Sequence, residues 1–361
     1  MSFEPIAIVG WSCVLPGALD PEAFGRAVLE GRDLVTPADS SRWRLPPAHF
    51  LKAMERAGIA PGVGDRGGFV RGFDEIFDPR GFGVDAEIIG GMDPLFRWVL
   101  HTGREALRSA GYGDAARVGA TRTGAVFGNL SYPSEGMARW TEASWLDAQR
   151  DVAGGRAREL AGATYPDPRN RFMSGSPAAM LRAALGLREG AFALDAACAS
   201  SIYAIKLACD RLHDGQADMM LAGAVCRVDQ LNIHTGFGAL KAFSPTGRSR
   251  PFHCEADGLL PAEGAAFVVL KRLADAVRAS EPILGVIRGV GLSCDGRSAG
   301  LLAPSAAGQA RAIRQAYEVA GLTPADVSLL ECHATGTPLG DAAELESTGQ
   351  VFAGLTDVPL G

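Results

Sequence analysis

Apolar and polar positions along this chain switch between two rhythms. Short apolar runs such as Gly124–Gly128 (GAVFG), Ala191–Leu194 (AFAL) and Ala265–Leu270 (AAFVVL) predict strands. The last is apolar at every position, as expected of a strand covered on both faces. Between the runs, apolar residues recur three and four apart, which predicts amphipathic helices over Pro94–Tyr112 and Gly308–Leu322. Both helices end in Ala-Gly, and each is followed by a loop and a strand, Gly124–Gly128 in one case and Val327–Glu331 (VSLLE) in the other. The first strand leads to Asn129, the second to His333. Alternating strands and helices predict an α/β protein, and the same helix–loop–strand order recurs in its two halves.

One strand-to-helix junction stands out. After Ala191–Leu194 come Asp195 and a cluster of small residues, Ala196, Ala197, Ala199, Ser200 and Ser201, with Cys198 among them. Ile202, Ile205, Ala208, Cys209 and Leu212 then keep a helical rhythm. Cys198 is therefore expected near a helix N-terminus, where unpaired N–H groups and the helix dipole favour a thiolate. A thiol so placed is a candidate nucleophile. The alternative is a buried cysteine that only packs. The small neighbours favour the first reading, because a substrate has to approach that backbone closely.

A second junction supplies a base. Ser328–Glu331 is expected as a short buried strand, after which His333 enters a loop of Thr, Gly and Pro. Asp341 is the expected N-cap of a helix over Ala342–Phe352, with Glu344 as its capping-box partner. A cysteine and a histidine at two strand ends make a credible nucleophile–base pair.

At these positions the chain resembles the β-ketoacyl synthases. DAACASS around Cys198 is similar to their DTACSSS, and HATGTPLGDAAE from His333 to their HGTGTPxGDxxE. The opening PIAIVGWSCVLPG, FDPRGFGVDAEIIGGMDPLFR and SPTGRSRPFHCEADGLLPAEGAAFVVLKRL match three further signatures in the family's order. The resemblance spans Pro5 to Gly361, in the style of type I polyketide or polyunsaturated-fatty-acid synthases. It implies a thiolase-like, five-layered αβαβα sandwich with duplicated halves: residues 1–240 carry the nucleophile, and residues 241–361 hold a crossing loop (Lys241–Glu263) and a second half beginning near Ala265–Leu270. The polar stretch Glu142–Asn170 is expected as an exposed excursion. The family's KxNxGHxxxAAG and GFGGxN segments, with a second catalytic histidine and a lysine, do not occur in the 361 residues. The second half is therefore expected to be C-terminally incomplete.

The resemblance also implies the chemistry, a decarboxylative Claisen condensation of a cysteine-bound acyl chain with a malonyl-type extender. Cys198 takes the acyl group and His333 stabilises the enolate. Thr335 and Thr337 bind the phosphopantetheine amides, and Asp341 and Glu344 support the site. Asp257 and Glu263 are expected to hold structure. No bound cofactor and no metal are implied; the phosphopantetheine arm of an acyl carrier protein brings the substrates, and a homodimer is expected, paired through Gly190–Asp195. Two rival readings are an enzyme that only transfers acyl groups and a non-catalytic dimerisation or scaffold subunit. Cys198 argues against the latter, since such subunits typically replace the nucleophile.

Composition narrows the setting. A formal charge of −6 argues against a nucleic-acid partner. No apolar run approaches the ~20 residues of a membrane-spanning helix, and the first residues lack the basic region of a signal peptide. Seven cysteines, an odd number without CxxC spacing, suit the reducing cytoplasm.

Overall fold

The computed structural model describes residues 3–38, 42–43, 45–59, 64–149, 167–297 and 303–354. A mixed sheet organises them. Its strands are β1 (Ile6–Val14), β2 (Thr123–Asn129), β3 (Ala191–Leu194), β4 (Met219–Cys226), β5 (Gly264–Arg272) and β6 (Gly285–Ile287), in the spatial order β3-β2-β4-β5-β1-β6. β2 runs parallel to β3 and β4, whereas β5 is antiparallel to β4 and β1.

The strands are apolar at nearly every position because both faces are covered. Phe127, Leu221, Phe267 and Val269 face one side, against α1 (Pro94–Ser109) and α2 (Ser176–Leu185). The residues between them, Val126, Met220, Ala222, Val268 and Leu270, face α3 (Ser200–His213). Period-two alternation thus sorts one continuous apolar run into two cores. Gly223 permits the tightest strand contact: a Cβ there would lie 2.0 Å from the Ala266 carbonyl oxygen.

The repeat seen in the sequence has a structural counterpart. α1 ends with Gly111 at φ +81°, and the Tyr112 N–H returns to the Leu107 carbonyl. A later helix, Ala306–Ala320, ends with Gly321 at φ +63°, and the Leu322 N–H returns to Tyr317. Both are left-handed glycine caps.

Three expectations need correction. β5, assigned by its apolar run to the second half, lies inside the sheet that carries the nucleophile, because antiparallel ladders to β4 and β1 pair both its edges while helices cover both its faces. Residues 327–331 are extended but pair with no described strand, and Leu329 is 66% exposed; propensity alone builds no ladder without a partner. The helix after His333 starts earlier than expected. It spans Pro338–Phe352, capped by Thr337, whose hydroxyl accepts from the Gly340 N–H, with Pro338 at the first helical position, where its missing N–H is harmless. Of the predicted excursion Glu142–Asn170, residues 150–166 lie outside the described residues.

Candidate active site

The site forms where three parallel strands end. The register sets Gly128 of β2 opposite Leu194 of β3 on one side and Ala224 of β4 on the other. Chain leaving these ends therefore converges, with Leu130 after β2, Cys198 after β3 and Cys226 closing β4. Gly128 is needed for the fit: a Cβ there would meet the Ser200 Cβ at 2.5 Å, so glycine lets α3 start directly over the strand.

Cys198 sits in a short 3-10 turn, Ala197–Ala199, immediately before α3. Ala197 turns the chain at φ +51°, a conformation unfavourable for any residue with a Cβ. Hydrogen bonds hold the elbow. Asp195 accepts from the Ala197 N–H at 2.9 Å and, through its other oxygen, from the Ser131 N–H at 2.7 Å. The Ser200 hydroxyl accepts from Ala196 N–H at 2.9 Å and donates to the Ala197 carbonyl at 2.6 Å. The thiol is left exposed at the tip.

His333 arrives from the loop before Pro338–Phe352. That loop is pinned by two carboxylates of the helix it leads into. Glu344 accepts the His333 N–H at 2.6 Å and the Ala334 N–H at 2.8 Å, and Ala334 takes a positive φ of 50°. Asp341, 5% exposed, accepts the Gly336 N–H at 3.0 Å and, from the crossing loop, the Phe252 N–H at 2.7 Å. The Thr335 and Thr337 hydroxyls are 2.8 Å apart, and a Cβ on Gly340 would strike both.

His333 and the Cys198 thiol lie close enough to shift each other's titration, although 135 positions separate them (333 − 198). Their interaction holds the Cys198 thiol below its ordinary value, against partial burial, and pushes His333 upward, helped by the charges of Cys198, Glu344 and Asp341. The two shifts act in the direction of the Cys198 thiolate and the protonated His333. Burial instead raises Cys226 and Cys332, and pushes Cys13 to about 11 and Cys209 to about 12. The sequence pointed to the helix N-terminus as activator; the structure adds the imidazole of His333.

At Cys226, whose thiol feels the charge of Cys198, a cavity of about 170 Å³ opens, lined also by Leu130, Ile233, Phe237, Phe243 and Leu259 among others. No motif marked it; the signal available was the apolar spacing of Ile233 and Phe237 on the helix α4 (Gln230–Ala239). Under it runs a buried ion network that sequence reading also missed. Glu263 takes Arg42 and the Val70 N–H, and Arg227 bridges it to Glu135 at 3.6 and 3.4 Å. Asp257 binds the Ser244 and Thr246 hydroxyls, both at 2.7 Å. Both acids therefore hold structure. Asn129 does the same, donating to the Met173 carbonyl at 2.8 Å. Among the described residues no cluster of His, Cys, Asp and Glu is arranged for a metal ion, and no helix is long and apolar enough to cross a membrane.

Comparison with known proteins agrees with this geometry. Residues 3–276 match the family model described as Beta-ketoacyl synthase, N-terminal domain, and residues 284–360 that of the C-terminal domain. The chain is 36% identical over 357 residues to the PKS-NRPS hybrid synthetase ATPKS of Aspergillus niger, covering 98% of this chain and 18% of that protein. It is 35% identical over 361 residues to a mycocerosic acid synthase-like polyketide synthase of Mycolicibacterium smegmatis, covering 98% and 16%. The chain thus spans less than a fifth of the length of these relatives. Among solved structures it resembles the PfaC keto synthase-chain length factor, with a TM-score of 0.89 at 34% identity over 98% of this chain and 38% of that one. A Streptomyces albus oxazolomycin ketosynthase domain gives a TM-score of 0.81 at 29% identity, over 97% and 58%.

Proposed function

The chain belongs to the β-ketoacyl synthase family, and from that premise we propose that it is a ketosynthase domain. It joins a cysteine-bound acyl chain to a malonyl-type extender by decarboxylative Claisen condensation. The observation that carries the reading is the placing of Cys198 on its elbow at the convergence of three strand ends, with His333 near enough to shift its titration.

The Cys198 thiolate attacks the carbonyl carbon of an acyl thioester. A bond forms between Sγ and that carbon, the incoming carbon–sulfur bond breaks, and the departing thiolate takes the proton held on His333. The malonyl group then loses CO₂, and the electron pair of the broken carbon–carbon bond becomes an enolate. His333, reprotonated from solvent, stabilises the enolate oxygen. The enolate carbon attacks the acyl-cysteine, releasing the Cys198 thiolate and leaving a β-ketoacyl thioester. Thr335 and Thr337 are proposed to bind the pantetheine amides of an acyl carrier protein. Asp341 and Glu344 hold the His333 loop and touch no substrate. The proposed setting is the cytoplasm, where the seven free thiols stay reduced. A homodimer is proposed, because β3 is an edge strand with one side unpaired in the sheet.

The test is single-turnover chemistry. Incubation with an acyl thioester should add one acyl mass at Cys198, and malonyl-carrier protein should then release CO₂ and yield a β-ketoacyl product. Cys198→Ala should remove both steps. Absence of any acyl adduct at Cys198 overturns the reading, and an adduct without CO₂ or product supports transfer only.

A further inference from the structure

The cavity at Cys226 is lined by apolar side chains apart from Cys226, Gln230 and Glu263. α4 presents Gln230, Ile233 and Phe237 to it, one helical face at spacings of three and four. Two of these residues suit a hydrocarbon chain. Gln230 does not: it is 6% exposed, lines the cavity, and its side-chain oxygen has no hydrogen-bond partner. Glu263 also lines the cavity, but its carboxylate is engaged by Arg42, Arg227 and the Val70 N–H. The Glu263 Oε2 has no hydrogen bond but is ion-paired with Arg227 at 3.6 Å, whereas the Gln230 side-chain oxygen has no hydrogen-bond partner. A buried unpaired amide is unfavourable, and it becomes favourable when a ligand supplies the missing partner.

We propose that Gln230 is a specificity-determining residue that selects acyl chains bearing a hydroxyl group over their saturated counterparts. A hydroxyl both donates and accepts, so it satisfies the amide in either orientation of its oxygen and nitrogen. The size of the chain follows from the cavity. A cavity of about 150 Å³ holds benzene, so the 170 Å³ here takes an acyl segment of about six carbons. On this proposal the chain enters past Cys226, which lines the cavity and feels the charge of Cys198, and lies along the Ile233 and Phe237 face. A saturated chain in the same place leaves the amide unpaired and buried, which disfavours its transfer.

The inference rests on the acyl-transfer reading above, and the two fail differently. Hexanoyl N-acetylcysteamine thioester and its hydroxyhexanoyl isomers are compared by the rate at which each adds to Cys198, read by intact-protein mass spectrometry. At least one hydroxy isomer should react about tenfold or more faster than hexanoyl. Gln230→Leu, and Gln230→Met as an unbranched second variant, should remove that preference while still accepting hexanoyl. Equal rates in the wild type, or a preference surviving in either folded variant, overturn the assignment and leave the ketosynthase reading intact. No adduct from any thioester overturns both.

Discussion

At the residue scale, the coupling of Cys198 and His333 makes a prediction about pH. Cys198 is held down mainly by His333, and His333 is raised by the same interaction. The sign follows directly. Alkylation needs the thiolate, so the rate for Cys198 should rise with pH about a midpoint below the ordinary thiol value of about 8.5. His333→Gln should move that midpoint upward and slow labelling at neutral pH. Iodoacetamide labelling followed by peptide mapping measures both, and an unchanged midpoint in the variant would show that the helix terminus alone activates the thiol. Cys209, Cys226 and Cys332 serve as internal references, since burial raises each of them. Both members of the pair were legible in the sequence because each stands among small or loop-forming residues at the end of an apolar run. Gln230 was not. An amide one position into a helix reads as solvated, and only the fold turns it inward on the face of Ile233 and Phe237.

At the scale of elements, the site depends on how closely α3 approaches β2 and on how the His333 loop is anchored. Gly128→Ala places a Cβ 2.5 Å from the Ser200 Cβ, and neither backbone can yield without moving the elbow. Overpacking of this kind costs about 1–3 kcal/mol. A lower urea midpoint with an unchanged slope should accompany slower acylation of Cys198; wild-type stability in the variant would mean that α3 shifts freely. Asp341→Ala removes the acceptor of the Gly336 and Phe252 N–H groups. Buried donors left unpaired cost about 1–3 kcal/mol, so a similar loss is expected on urea unfolding. Condensation should fall more than Cys198 acylation, because the loop positions His333 and leaves the elbow intact. Equal losses in the two steps would argue that Asp341 only stabilises. The same elements show where sequence patterns ran out. Residues 327–331 have the composition of a strand, yet a strand exists only through its neighbours. Asp341 looked like an N-cap by residue type, but Thr337 caps the helix, and the aspartate instead joins two loops.

At the scale of the whole molecule, the sheet order leaves β3 at one edge, with its ladder to β2 on one side only. All four of its residues are partly exposed, and Phe192 and Leu194 pack against the core that α3 covers. A short apolar edge strand without proline or lysine is an invitation to pairing, and natural sheets usually guard such edges. Ala191, Phe192, Ala193 and Leu194 carry no charge, and the adjacent acid, Asp195, is committed to the nucleophile elbow through the Ala197 and Ser131 N–H groups. The proposed resolution is a second copy of the same strand across a two-fold axis, where any substitution acts twice. Such an interface would also brace the turn that carries Cys198, four residues beyond the end of β3, so assembly and catalysis would be linked through one strand. Ala193→Lys should therefore give monomers or insoluble protein, and soluble monomers should acylate Cys198 more slowly than the dimer. Multi-angle light scattering together with the acylation rate decides the matter. A soluble, dimeric lysine variant with the wild-type rate would place the interface elsewhere and leave the β3 edge free.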